Sequence, residues 1–226
     1  MKQGEDNPLS QELYKPAVQQ IEDHKLVLNL GCGVLLNFEK YLARNRDVTI
    51  HCCDIHSPRV TADECENINF FIQNVEEPFK LDLSFDIVTF FELIEHIDKT
   101  DILLQNCYNA LKPNGLFICS FPNLASIYSR LELLLGYQPH VLEVSNVNAN
   151  FGTGLFGKMN NSTAAPVHHI RGITMKAMKE MLMYFGFDIV KVYGYDHRLK
   201  HLLRYIPSLA PVNLFIVRKN GKPHVK

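Results

Sequence analysis

One segment, KLVLNLGCGVLLNF at Lys25–Phe38, restricts the fold of this chain more than any other. Its apolar run Leu26–Leu30 is typical of a buried strand, Gly31–Gly33 interrupts that run, and helical spacing of apolar residues resumes over Val34–Arg44. A strand, a glycine turn and a helix in this order are typical of the first unit of a nucleotide-binding α/β sheet. Glycines permit a sharp turn and let a ligand approach bare backbone N–H groups at a helix N-terminus.

The same alternation continues along the chain. Hydrophobic periodicity predicts seven strands, at 26–30, 48–55, 68–75, 85–91, 116–121, 187–195 and 213–218. It predicts helices at 11–21, 34–44, 58–66, 98–111, 124–136, 174–185 and 198–205, and a turn at 112–115. Thr174 is a plausible N-cap, and Gly186 a C-terminal stop, for the helix between them. Continuous apolar strands separated by helices favour an α/β fold with a mostly parallel sheet covered on both faces.

Three segments depart from this rhythm. We predict a single domain over residues 1–226, with a helical lead-in at 1–24 and a substrate-capping insertion at 122–170. Residues 145–165 of the insertion are rich in Asn, Gly, Ser and Thr, which is typical of a functional lid or of a floppy surface loop. The basic residues at 198–205 either form a solvated face or meet an anionic substrate.

Composition excludes several classes of protein. A net charge of −1 provides no general attraction for nucleic acid. The six cysteines have neither a CxxC pair nor zinc-finger spacing, which favours a reducing compartment over a disulfide framework. No apolar run approaches the roughly 20 residues that span a bilayer, and the polar N-terminus does not resemble a signal peptide. We therefore predict a cytoplasmic protein without a membrane span, and we make no prediction of its oligomeric state.

A cofactor is expected beyond the carboxyl ends of the first four strands, where ligands bind in open α/β sheets. The predicted cofactor-binding residues are Asn29, Gly31, Gly33, Asp54, Ile55, Asn74, Val75 and Phe91. Asp54 is placed to accept from ribose hydroxyls, and Asn74 to pair with the edge of an adenine. Leu36 stands where a dinucleotide fingerprint requires its third glycine, so we exclude a dinucleotide. S-adenosylmethionine carries no phosphate and does not need an anion-binding helix end.

Four blocks of sequence carry a family resemblance: VLNLGCG, the acidic end of the second strand, FDIVTFFELIEH and LKPNGLFICSFPN. In order and spacing they resemble class I S-adenosylmethionine-dependent methyltransferases, in particular the ubiquinone-biosynthesis and sugar O-methyltransferases. HIRGIT followed by MKEMLMYFGFDIVKVYGY is also similar to that superfamily. The resemblance implies a Rossmann-like seven-stranded sheet with the last strand antiparallel, S-adenosyl-L-methionine as cofactor, and methyl transfer. Two positions depart from the pattern: Asn29 replaces a usual acidic residue, and Leu35 a usual glycine.

The candidate catalytic residues are Glu92, His96 and His169. Glu92, Glu95 and His96 form E-x-x-E-H, and on a helix these positions share one face. The pattern is similar to that of ubiquinone-biosynthesis and small-RNA 2′-O-methyltransferases, where it is associated with a divalent metal. Two interpretations stay open, a cation site completed by His168 or His169, and a structural or acid–base role without metal; we assign no metal ligand.

The segment after the insertion also leaves alternatives open. His169 can serve as general base and Arg171 as an anchor for a substrate anion, or both can form hydrogen bonds from a loop to the sheet. His140 is expected at the surface. The insertion aromatics either line an acceptor pocket or anchor the insertion, and they are Tyr128, Tyr137, Phe151 and Phe156.

The sequence therefore predicts O-methylation of a small molecule, a lipid head group or a sugar. The acceptor oxygen is implied by the resemblance alone. One alternative, suggested by Asn29 and Leu35, is a catalytically weak or inactive methyltransferase-fold protein that acts through a partner chain. A second alternative is an RNA methyltransferase, suggested by E-x-x-E-H and the basic residues at 198–205, and it predicts salt-dependent RNA affinity.

Overall fold

A seven-stranded mixed sheet in the order β3-β2-β1-β4-β5-β7-β6 forms the centre of the computed structural model, which describes residues 8–60, 67–160 and 165–221. The strands are β1 (Leu26–Leu30), β2 (Thr49–Asp54), β3 (Ile68–Ile72), β4 (Phe85–Phe91), β5 (Leu111–Pro122), β6 (Phe187–Tyr195) and β7 (Val212–Lys219). Neighbouring strands from β3 to β5 run parallel, whereas β7 pairs antiparallel with both β5 and β6. The predicted fold class, including the antiparallel last strand, is confirmed.

Seven α-helices accompany the sheet in the described residues. They are α1 (Pro8–Val18), α2 (Asn37–Asn45), α3 (Thr100–Ala110), α4 (Ile127–Leu134), α5 (Leu155–Asn160), α6 (Met175–Tyr184) and α7 (Lys200–Leu203). The predicted cap of α6 is confirmed, because the Thr174 hydroxyl accepts from the Ala177 N–H at 3.1 Å. Gly186, just beyond α6, has φ 87°, a left-handed conformation that glycine adopts at little cost.

Both faces of the sheet are buried along its central strands, as the continuous apolar runs predict, whereas the edge strands β3 and β6 keep exposed residues. Successive side chains of a strand point to opposite faces, so Val27 and Leu28 enter different core clusters. Val27 packs with Ala17 of α1 and Leu42 of α2, whereas Leu28 lies in the cluster that holds residues of α3 and α6. The polar lead-in segment therefore contributes an apolar face to the core.

The helix after the glycine turn begins later than predicted. α2 starts at Asn37 instead of Val34, because Leu36 adopts a left-handed conformation with φ 51° and ends the turn. Leu36 is fully buried against Cys32 and Cys52, and this packing determines the turn. β3 likewise ends at Ile72 rather than at residue 75, so Asn74 and Val75 lie in the following turn.

Other predicted boundaries are also wrong. Residues 112–115 lie within β5 rather than forming a separate turn, and the register shifts opposite Phe85 and Ile87. The basic helix is limited to Lys200–Leu203. Residues 58–60 have no regular structure, and the rest of the predicted helix at 58–66 lies outside the described residues.

The predicted insertion contains α4, α5 and long irregular segments. Tyr128 anchors it, because its buried hydroxyl donates to Asp196 at 2.7 Å just beyond β6. The expectation that His140 is a surface residue is wrong: its side chain is 9% exposed and its Nδ1 lies 2.9 Å from the buried Glu132 carboxylate. Tyr137 and Phe151 are exposed, and the side chain of Phe156 lies outside the described residues.

None of the helices in the described ranges has the length and apolar character needed to cross a membrane. The cytoplasmic location stays a prediction.

Candidate active site

The glycine turn lies between β1 and α2 and is held by β2. Gly31 and Gly33 both have positive φ, 69° and 65°. The N–H groups of Gly31 and Cys32 donate to the Cys53 carbonyl at 2.8 and 3.1 Å. The Gly33 N–H donates to Asp54 Oδ2 at 2.9 Å. The expectation that this turn presents bare N–H groups is therefore wrong at these three residues, because β2 supplies an acceptor for each.

The end of β2 and the turn after β3 form one wall beside the glycine turn. The second Asp54 oxygen, Oδ1, accepts from the His56 N–H at 3.0 Å, and Ile55 is 59% exposed. Asn74 accepts from the Glu76 N–H at 3.0 Å, and its amide nitrogen lies 3.4 Å from Glu77 Oε1. The Val75 side chain is buried in the core. Ile55 and Asn74 therefore remain accessible at this edge, whereas Val75 presents no free side chain.

Asn29, the last polar residue of β1, is 2% exposed and has partners on both sides of its amide. Its Nδ2 donates to Glu39 Oε1 at 2.6 Å, and its Oδ1 accepts from the Thr89 hydroxyl at 2.8 Å. Burial raises the pKa of Glu39 to about 7, although the Asn29 bond opposes the shift. Glu39 is not among the residues predicted from the sequence, although a carboxylate on the sheet-facing side of an amphipathic helix is a signal that could have identified it.

Phe91 closes β4 and faces α1 and α2, with its ring centroid 4.5 Å from Phe38 and 5.0 Å from Tyr14. Glu92, directly after β4, has a left-handed backbone conformation with φ 48°. Glu92 accepts from the Ser120 hydroxyl at 2.7 Å. Burial raises the pKa of Glu92 to about 7 despite that bond.

The E-x-x-E-H residues do not share one helical face as expected, because Glu92 is left-handed and only Ile94–His96 form a short 3-10 helix. Glu95 is 2% exposed, and neither of its carboxylate oxygens has a hydrogen-bond partner in the described part of the chain. Burial, together with the charge of Glu92, raises the pKa of Glu95 to about 9. Glu92 thus acts on Glu95 electrostatically.

His96 and His169 converge on Glu95 from two segments. Each presents Nε2 at 3.9 Å from Glu95 Oε1, and their ring centroids are 4.9 Å apart. The His96 Nδ1 lies 3.1 Å from the His168 carbonyl, and the His169 Nδ1 lies 3.0 Å from the Val141 carbonyl. Because a carbonyl only accepts, each Nδ1 carries the proton of its hydrogen bond, and Nε2 is the ring nitrogen of each histidine that faces Glu95.

The loop that carries His169 is fastened to this cluster. The N–H groups of Ile170 and Arg171 donate to the Glu95 carbonyl at 2.9 and 3.1 Å. Arg171 Nε donates to the Ile97 carbonyl at 2.8 Å, and its guanidinium also contacts Asp98. The side chain of Arg171 thus bonds to the segment between the 3-10 helix and α3, and not to a strand of the sheet. Burial lowers the pKa of His169, which keeps the ring neutral near pH 7.

Two clusters of the described residues have the spacing to hold a metal ion. In the first, ligand atoms of Glu95, His96 and His169 all lie within 4.8 Å of one another. In the second, the same limit joins Cys32, Glu39 and Cys52 beneath the glycine turn. Leu93, two residues before Glu95, approaches the glycine turn, since a Cβ built on Gly31 would lie 2.7 Å from the Leu93 side chain.

Comparison with known proteins agrees with this architecture. The sequence model of a family described as "Methyltransferase domain" matches residues 28–117. A ubiquinone biosynthesis O-methyltransferase of Coxiella burnetii is 30% identical over 104 residues, 44% of each protein, so the match spans less than half of that relative.

Solved structures resemble most of the chain. A SAM-dependent methyltransferase from Archaeoglobus fulgidus superposes with a TM-score of 0.61 at 17% identity and covers 95% of each chain. A magnesium protoporphyrin IX methyltransferase from Synechocystis, solved with bound SAH, gives a TM-score of 0.60 at 13% identity over 96% of this chain and 89% of that one. At such identities the likeness concerns the fold alone.

Proposed function

We propose that this chain binds S-adenosylmethionine along its glycine turn and transfers the methyl group to an oxygen of a small molecule or lipid head group. The chain belongs to the class I S-adenosylmethionine-dependent methyltransferase superfamily. The observation that carries the acceptor chemistry is the convergence of the His96 and His169 Nε2 lone pairs on the buried Glu95 carboxyl group, 3.9 Å from each.

The cofactor would lie over the edge formed by the glycine turn, Asp54 and Asn74. Each of the two Asp54 carboxylate oxygens accepts a hydrogen bond from one backbone N–H, and each retains a second lone pair for a ribose hydroxyl. The exposed Ile55 provides an apolar surface for the adenine ring, beside the Asn74 amide. Asp54 also holds the glycine turn in place through the Gly33 N–H, so cofactor affinity and turn geometry depend on the same carboxylate.

On the acceptor side, methyl transfer to a hydroxyl requires loss of the hydroxyl proton. The Nε2 of His96 or of His169 can accept it, and the lowered pKa of His169 keeps the Nε2 of that residue unprotonated near pH 7. The resulting imidazolium would lie beside Glu95, whose ionised form it stabilises. The Nδ1–H bonds to the His168 and Val141 carbonyls hold both rings in orientation.

The same cluster fits a divalent cation. Two Nε2 lone pairs and a buried carboxylate without a partner are a donor set typical of Zn²⁺, Mn²⁺ or Fe²⁺, and the orphaned Glu95 oxygens are the feature that a cation would explain. Glu95, His96 and His169 would hold it, with Glu92 next to them. When bound, the cation would lower the pKa of an acceptor hydroxyl. We propose that a divalent cation supports the reaction.

The first test is calorimetric titration of the full chain with S-adenosylhomocysteine. We expect micromolar binding that Asp54→Ala weakens by about 1–3 kcal/mol, the usual cost of unmet buried polar groups. Asp82→Ala is the matched control, because Asp82 is exposed and precedes β4, at the amino ends of the parallel strands and away from their carboxyl ends. If the parent chain shows no binding, the enzyme proposal fails and a partner-dependent role is favoured.

A second test measures transfer of labelled methyl to a catechol probe such as 3,4-dihydroxybenzoate. Glu95→Gln and His169→Ala should each lower kcat by about 100-fold or more, in the range expected for a lost general base, with little change in S-adenosylhomocysteine affinity. Equal loss of cofactor affinity and turnover would instead assign these residues to the cofactor pocket.

A further inference from the structure

A second cluster of ligand-type atoms lies beneath the glycine turn, apart from the acceptor-side histidines. Its members are the thiols of Cys32 and Cys52 and the carboxylate of Glu39, all within 4.8 Å of one another. They come from three elements: the turn, β2 and α2. All three residues are buried, and Glu39 is fully excluded from solvent.

Glu39 is the observation that distinguishes this cluster from ordinary core packing. Its Oε1 accepts from Asn29 at 2.6 Å, whereas its Oε2 has no hydrogen-bond partner in the described part of the chain. A buried carboxylate without a cation or a full set of donors is costly. Two thiols lie beside it instead of an arginine or a lysine, and thiols are weak donors but strong metal ligands when deprotonated.

We propose that Cys32, Glu39 and Cys52 bind a thiophilic divalent cation, with Zn²⁺ as the ion that suits them best. Two sulfur ligands and one carboxylate oxygen satisfy three positions of a tetrahedral Zn²⁺ site. Cys32 is the one member of this cluster with any solvent exposure, 9%, so water reaching the ion from that side would be the fourth ligand. Each thiol releases its proton to solvent as its sulfur–metal bond forms, and Glu39 binds as the carboxylate.

The surrounding residues support this assignment. The Asn29 amide holds Glu39 Oε1, as outer hydrogen bonds commonly hold metal-ligating carboxylates. Cys32 is the middle residue of the glycine turn, and its N–H already bonds to β2. A cation bound by its sulfur would therefore fix the turn, β2 and α2 to one another. This site does not depend on the acceptor chemistry proposed for Glu95, His96 and His169.

The test is Co²⁺ titration of the reduced full chain, preceded by measurement of the zinc content of the purified protein. We expect a sulfur-to-cobalt charge-transfer band in the near ultraviolet, saturating at one Co²⁺ per chain and abolished by Zn²⁺. Cys52→Ala and Glu39→Gln should each weaken Co²⁺ binding by about tenfold or more. The Glu39 variant keeps the side-chain volume, so the test remains decisive if Cys52→Ala does not fold.

Two controls separate this site from other ligands. Cys53→Ala removes the neighbouring thiol, which points to the opposite face of the sheet and into another cluster, and should leave the band unchanged. Glu95→Gln, which alters the acceptor-side cluster, should also leave it unchanged. Absence of the band in the parent chain would overturn the proposal. So would a Co²⁺ affinity in both Cys52→Ala and Glu39→Gln that equals the Co²⁺ affinity of the parent chain.

Discussion

Asn29 Nδ2 lies 2.6 Å from Glu39 Oε1 and joins the end of β1 to the first turns of α2. The methyltransferase family that this sequence resembles usually carries an acidic residue at the position of Asn29. In this chain the carboxylate beside that position is Glu39, which comes from α2. Thr89 of β4 completes the chain of hydrogen bonds by donating to Asn29 Oδ1 at 2.8 Å. Three elements that flank the glycine turn are thus connected through one buried amide.

The first prediction concerns the pH dependence of stability that Glu39 causes. Its pKa is about 7 in the folded chain against an ordinary value of 4.5, so between these values the folded state holds a proton that the unfolded state has lost. Its contribution is fully present below pH 4.5 and is lost as the pH rises through 7. Urea unfolding in chelator should show the parent losing on the order of 2–3 kcal/mol more than Glu39→Gln between pH 5 and pH 8. A difference between the two proteins that does not change with pH would contradict this.

The second prediction compares the two glycines of the turn. A Cβ on Gly31 would lie 2.7 Å from Leu93 Cδ1, whereas one on Gly33 meets nothing within 4 Å. Both residues have positive φ, so each alanine costs roughly 1–2 kcal/mol of backbone strain, and Gly31→Ala adds about 1–3 kcal/mol of overpacking. Denaturant unfolding should therefore rank Gly31→Ala as the less stable variant. Equal destabilisation would show that Leu93 moves aside freely.

The third prediction concerns a divalent cation at the acceptor-side cluster. A cation bound only by the folded chain stabilises it by about 2.7 kcal/mol at a hundredfold excess over its Kd. We expect Mn²⁺ or Zn²⁺ to raise the Tm of the Cys52→Ala variant, which lacks the thiol site, and Glu95→Gln in that background to abolish the rise. A rise that survives Glu95→Gln would place the cation elsewhere.

The fourth prediction tests how the insertion is held. His140 Nδ1 lies 2.9 Å from Glu132, with side-chain exposures of 9% and 1%. Without the imidazole, the buried Glu132 carboxylate keeps, among the described residues, only the backbone N–H of residue 140, at 3.2 Å, and leaving a buried acceptor short of a partner costs about 1–3 kcal/mol. His140→Ala should accelerate amide hydrogen exchange in α4 and the segment after it while leaving β1–β5 protected. His24→Ala is the control: its pair with Asp47 is exposed, so exchange should not change. Uniformly faster exchange across the sheet would contradict a local role.

Local sequence patterns were sufficient for much of the fold. Leu26–Leu30, Phe85–Phe91 and Phe187–Tyr195 begin and end where the apolar runs predict, and Thr174 caps its helix as predicted. Short-range periodicity and capping depend on neighbouring residues, and the family resemblance supplied the antiparallel last strand. Glu92 and the glycine turn could be selected for the same reason, since each lies at a predicted strand end, and His96 was selected through the E-x-x-E-H pattern.

Long-range packing decided the rest. Leu36 ends the turn in a left-handed conformation because the space between Cys32 and Cys52 takes its side chain, which no local pattern reveals. His169 meets Glu95 only because a loop distant in sequence bonds to the Glu95 carbonyl. Glu39 faces Asn29 instead of solvent, and the pKa values of the Glu39, Glu92 and Glu95 carboxyl groups rise because tertiary packing removes them from water. Residue types and strand ends can be predicted from local order along the chain, but contacts, burial and protonation depend on segments that meet only in the folded state.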